Sequence, residues 1–159
     1  MRKIWAVGAL LCWTVGGQAA GSLLNPAWGV LFPAATAVQL AHQCSRPAPS
    51  PMTGVWQPSA AQIAAMEPRL SAYLASQLTA YTKDKFAAAN YYRQYGGLLI
   101  NGHAVIYVNG LYRSVIVTDP GKDWRTQPFL ICDGGILAFG VEYDPANGQF
   151  SHFAFNGHL

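Results

Sequence analysis

The sequence predicts an α+β domain in which one long N-terminal helix packs on a four- to five-stranded antiparallel meander sheet. Two observations carry this expectation. Apolar residues recur every three or four positions from Ile63 to Tyr81, the period of one helical face. Beyond residue 90 the period falls to two within aromatic and β-branched runs, and short turn-forming stretches join one run to the next, which favours pairing of sequential strands.

The chain of 159 residues is 52% hydrophobic and 11% charged, enough apolar side chain for one packed core and too much for a disordered chain. Arg2 and Lys3 supply two of the +3 formal charges, so the remainder is close to neutral and nothing steers it to nucleic acid. The first 41 residues carry no Lys, Arg, Asp or Glu after Lys3. Residues 1–19 read as a signal peptide: "MRK" is the basic start, "IWAVGALLCWTV" the apolar run, and Gly17 and Ala19 the small residues before cleavage at Ala20.

Residues 22–41, "SLLNPAWGVLFPAATAVQLA", form a second uncharged run about as long as a bilayer span requires, interrupted by Pro26 and Pro33. Two readings stay open for it. Residues 4–41 anchor the protein in the membrane, so that 1–41 is a signal/anchor segment, or the run is a second apolar region of a signal peptide with its cleavage site at Ala35-Thr36-Ala37. Either way the basic end stays inside and the rest lies outside the cytoplasm, periplasmic, secreted, or membrane-anchored and facing the periplasm. Cys12 falls in the leader, which leaves Cys44 and Cys132 for one disulfide; a free, buried Cys132 is the competing reading.

Residues 42–54 are rich in Pro and Ser and read as a tether, with the folded domain spanning residues 55–159. The helix starts at a capping box, Ser59 with Gln62, and Pro68 removes one of its hydrogen bonds, which is expected to kink or split it. "NYYRQYGGLLI" and "HAVIYVN" flank Asn101-Gly102, the dipeptide that accepts positive φ at both centres of a type I′ hairpin turn. A short strand is expected over residues 114–117, then a polar loop. A long strand follows over residues 129–144, bent at Gly134-Gly135, with "PANG" turning into a last strand.

In element order alone, residues 56–157 are similar to cystatin-like folds, in which a helix crosses a curved antiparallel sheet; no cystatin inhibitory motif accompanies the likeness. Separately, "YYRQYGGLLINGHAVIYVNG", "FLICDGGILAFGVEYD" and "FSHFAFNG" resemble exported proteobacterial proteins of uncharacterised role. That resemblance implies residence in the periplasm or on the outer face and supplies no catalytic residue, cofactor or substrate.

Catalysis by Cys132 would need a base such as His103 and an orienting Asp133 or Asp119, but "FLIC" is an apolar setting unlike the electropositive one of a reactive thiolate. The histidines show no metal-ligand spacing, and Glu142 with Asp144 reads as a solvated strand face. Tyr92, Arg93, Tyr95, Tyr107, Tyr112, Arg113 and Trp124 are the residue types that dominate binding hot spots and form the candidate recognition set. The expected function is thus a non-enzymatic envelope module, of inhibitor, immunity or assembly type, without metal or cofactor, whose partner is an envelope or secreted protein. The alternatives are a small hydrolase using Cys132 with His103, and a carrier of a small apolar ligand.

Overall fold

A computed structural model describes residues 22–23, 29–84, 86–117, 121 and 123–157. The expected signal peptide lies outside them. In chain order the elements are β1 (Ser22–Leu23), β2 (Gly29–Leu31), α1 (Ala34–Ala41), β3 (Met52–Trp56), α2 (Ala60–Tyr81), β4 (Tyr91–Ile100), β5 (His103–Tyr112), α3 (Arg113–Val117), β6 (Ala138–Asp144) and β7 (Gln149–Phe155).

The fold is α+β, but the expected single long N-terminal helix on an antiparallel meander is overturned. The sheet is mixed, in the order β1-β2-β4-β5-β6-β7, with β3 also on β4. β2 runs parallel to β4 from Gly29 opposite Arg93 to Leu31 opposite Tyr95, while β3 runs antiparallel to it from Trp56 opposite Gly97 to Met52 opposite Ile100. One edge of β4 is therefore shared, end to end, by two strands from the N-terminal third. The expected strand at residues 114–117 is helix α3, and residues 129–137 are loop and a single 3-10 turn, so β6 begins only at Ala138.

The physical reason is that both faces of the sheet are apolar. On one face Ile63, Met66, Leu70, Leu74 and Leu78 of α2 are buried against Tyr91, Tyr95, Ile106, Val108, Phe139 and Val141. On the other, Leu98, Ile100, Val105, Tyr107, Leu111 and Ala138 need their own cover, which comes from Val30, Phe32, Ala37, Leu40 and Ala41 together with Trp124 and Phe129. A meander with one helix would leave this second face in water, at roughly 25 cal/mol for each Å² of apolar surface exposed. Residues 29–54, read from sequence as the end of an anchor and a tether, thus pack within the folded unit. Among the described residues no helix is long and apolar enough to cross a membrane.

α2 starts at the capping box read from the sequence, with the Ser59 hydroxyl accepting from the Gln62 N–H and the Gln62 side chain accepting from the Ser59 N–H. It continues through Pro68 for 22 residues. The turn between β4 and β5 has positive φ at Asn101 and Gly102. Cys44 and Cys132 form a disulfide that ties the segment after α1 to the loop before β6 across a separation of 88 residues.

One buried ionic cluster joins α2 to the sheet. Glu67 meets the Tyr95 hydroxyl and the Arg93 guanidinium, whose Nη1 lies 3.3 Å from Glu67 Oε2. Burial raises the Glu67 carboxyl above its ordinary value, and Arg93 and Tyr95 only partly offset that. A carboxyl that holds its proton more tightly when folded makes the folded state bind more protons than the unfolded one, so stability falls as pH rises above the unfolded value near 4.5. The urea midpoint of the native protein should therefore decline from pH 4.5 towards 7 more steeply than that of Glu67→Gln. Reduction of the disulfide should lower the unfolding free energy by about 4 kcal/mol on the chain-entropy account, read as a lower urea midpoint in dithiothreitol.

Candidate functional site

Polar residues placed inside the apolar strands build the second face. Gln94 on β4 and Asn109 on β5 both point into the layer under α1, where an unpaired amide would cost about 1–3 kcal/mol. Gln94 Nε2 donates to the carbonyls of Trp124 and Gln127, and its Oε1 accepts from Asn109 Nδ2 and from the Phe129 N–H. Asn109 Nδ2 also donates to the Phe129 carbonyl. The long loop before β6 is thus held to the sheet through its backbone.

Asn109 passes the chain of bonds to Arg46. Arg46 is 7% exposed. It donates from Nη2 to Asn109 Oδ1 and from Nη1 to Asn156 Oδ1, both at 2.5 Å, and from Nε to the Tyr107 hydroxyl at 3.1 Å. Among the described residues no carboxylate pairs with it. Burial accordingly lowers its pKa from the ordinary arginine value, with Tyr107 opposing. Burial likewise raises that of Tyr107, against the pull of Arg46, which keeps the phenol neutral. Gly140 makes room: a Cβ there would lie 2.6 Å from Arg46 Nε and would also strike the Tyr107 hydroxyl.

Beside this cluster lies a hollow of about 240 Å³, walled by residues 47–50, Arg46, Tyr107, Gly140, Glu142, His152, Phe153 and Ala154. Glu142 is not the solvated residue expected from sequence. Its side chain is 6% exposed and its Oε2 lies 3.1 Å from His152 Nδ1, while the His152 ring is 74% exposed. A β-bulge sets this pair: Gly140 faces Ala154 and Glu142 faces Ser151, so His152 and Phe153 together oppose Val141. His152 takes a φ of 50°, a left-handed conformation costly for a side chain with a Cβ.

A second hollow, of about 350 Å³, opens on the α2 side of β7 between Gln77, Ala80, Tyr81, Phe153, Phe155 and Asn156. Its floor is aromatic, with Tyr81 on Phe155 at 4.6 Å and Phe153 edge-on to Phe155 at 4.8 Å. Phe153 and Ala154 border both hollows, and β7 pairs on its other edge with no strand among the described residues.

The sequence-derived recognition set does not assemble. Arg93 and Tyr95 belong to the buried Glu67 cluster, and Tyr92 packs on buried Trp124 at 4.6 Å. Tyr112 packs on Tyr91 and Phe86, and Arg113 is exposed at the start of α3. Only Tyr107 lines a hollow described above. The alternative catalytic set is also dispersed. Cys132 is bonded to Cys44 and has no thiolate to offer, Asp133 is held by its N–H to Ser45 Oγ at 2.9 Å, and His103 is exposed at the end of β5 remote from where β6 begins. Among the described residues no three His, Cys, Asp or Glu side chains gather as a metal site would need.

Arg46, Asn156 and the Glu142–His152 pair were missed from sequence. The usable signal was a lone Arg between a Cys and a Pro-rich stretch, and single amide residues inside apolar strands, as at Asn109. No family model matches the chain, and no curated protein or solved structure is similar to it.

Arg46→Ala should cost about 3 kcal/mol or more, because Asn109 and Asn156 each lose the donor to a buried oxygen. Gly140→Ala should cost about 1–3 kcal/mol through overpacking on Arg46. Both are read as shifts of the urea midpoint.

Proposed function

We propose that this chain is an exported envelope or secreted protein that acts as a non-enzymatic binding module, taking an extended segment of another polypeptide as an added strand on β7. The observation that carries the reading is the pairing of an open strand edge with one hollow on each of its faces. Added strands gain affinity from main-chain hydrogen bonds and specificity from side chains that alternate between the two faces. Here the two faces differ in chemistry: the α2 side offers Tyr81, Phe153 and Phe155, and the opposite side offers Arg46, Tyr107, Glu142 and His152.

Export is supported by the Cys44–Cys132 bond, since disulfides persist in oxidising compartments, and by the leader character of the first residues. An exposed strand edge usually carries a device against unwanted pairing. On β7 that device is the bulge at His152 and Phe153, beyond which Ala154 and Phe155, beside the two hollows, are regularly paired.

Peptides selected on the folded, disulfide-bonded protein from a display library of random ten-residue sequences should slow amide hydrogen exchange over residues 149–155. Selected peptides that bind while leaving β7 exchange unchanged would refute strand addition.

A further inference from the structure

Taking strand addition on β7 as its basis, we infer that the hollow beside Arg46 receives a carboxamide, the side chain of a glutamine or asparagine in the bound segment. Three of the five N–H donors that a guanidinium carries are used by Tyr107, Asn109 and Asn156, which leaves one N–H on each terminal nitrogen of Arg46. Across the hollow, Glu142 Oε2 faces His152 Nδ1, while Glu142 Oε1 meets no donor among the described residues and is not sealed from solvent. Arg46, with unused donors, and Glu142, with an unused acceptor, both line the hollow.

The charges decide between ligands. Arg46 and Glu142 cancel, so a carboxylate drawn to Arg46 is repelled by Glu142, and an ammonium drawn to Glu142 is repelled by Arg46. An apolar side chain would cut both sets of polar groups off from water without giving them partners, the costliest outcome. A carboxamide accepts through its oxygen and donates through a separate nitrogen with two N–H groups, so it meets both walls without charge, where a hydroxyl must do both from one oxygen. The companion hollow fixes spacing. It opens on the other face of β7 and both are bordered by Ala154, so an aromatic or large aliphatic residue should stand an odd number of positions from the carboxamide.

The test uses the folded, disulfide-bonded protein. From the random ten-residue library, the enriched peptides should share Gln or Asn at an odd spacing from a large apolar residue. Changing that Gln to Glu, Lys or Leu should weaken binding at least tenfold. In Glu142→Gln the hollow keeps Arg46 but loses the negative charge, so the Glu peptide should bind that variant better than the Gln peptide does. Peptides that protect β7 from exchange but show no amide preference would overturn the carboxamide and leave strand addition standing. If no peptide protects β7, titration with N-acetyl-glutamine methylamide decides separately: shifts of the His152 and Arg46 side-chain resonances support the site, and their absence overturns it.

Discussion

The buried guanidinium of Arg46 is the constraint on which the second face of the sheet depends. It stands almost out of water, with no carboxylate partner among the described residues, and is held by three neutral oxygens, on Tyr107, Asn109 and Asn156. The acceptors come from two parts of the chain: β5 supplies Tyr107 and Asn109, and Asn156 follows β7. The disulfide places Cys44 two residues before Arg46, so the covalent bond and the cation act on the same stretch. A buried ion held this way tolerates no shift of its neighbours, since losing one acceptor exposes the full cost of desolvation. The position of the residues that follow Arg46, and with them one wall of the polar hollow, comes from that requirement.

The elements with strong local codes were legible from the residues. The capping box at Ser59 and Gln62 and the turn at Asn101-Gly102 satisfy backbone needs within a few positions, and tertiary packing had no reason to override them. Architecture was less legible. β4 is buried almost throughout, from Tyr91 to Ile100, and a strand covered on both faces loses the simple in-and-out alternation. The run around Val30 and Leu40 looked like membrane-spanning or leader sequence because a core-facing apolar segment and a lipid-facing one use the same residues. "FLIC" looked like strand for its apolar content, yet Ile131 and Cys132 are held by Asn156 and the disulfide in a loop.

The site was harder to read for a related reason. Tyr and Arg were singled out by residue type, and type does not report burial: Arg93 and Tyr95 face α2 and Glu67, whereas Tyr107, two strand periods along the next strand from Leu111, faces the hollow. Glu142 appeared solvated because it alternates with Val141 and Tyr143, but its face is covered by the segment that follows Cys44. The bulge that brings His152 to Glu142 has no local signature, since the residue with positive φ is a histidine where glycine would have announced it.

The loop before β6 is fixed by its peptide groups. Gln94 and Asn109 bond the carbonyls of Trp124, Gln127 and Phe129 and the N–H of Phe129, and Asn156 bonds the carbonyl of Ile131. Main-chain atoms are the same whatever side chain they carry. Between the anchored points, positions 125, 126 and 130 are exposed, with Arg125 lying over Trp124 at 4.8 Å and Leu130 51% exposed. Evolution or a designer can rewrite those positions without renegotiating the fold, much as an antibody framework carries hypervariable loops: sequence diversity there comes at little thermodynamic risk.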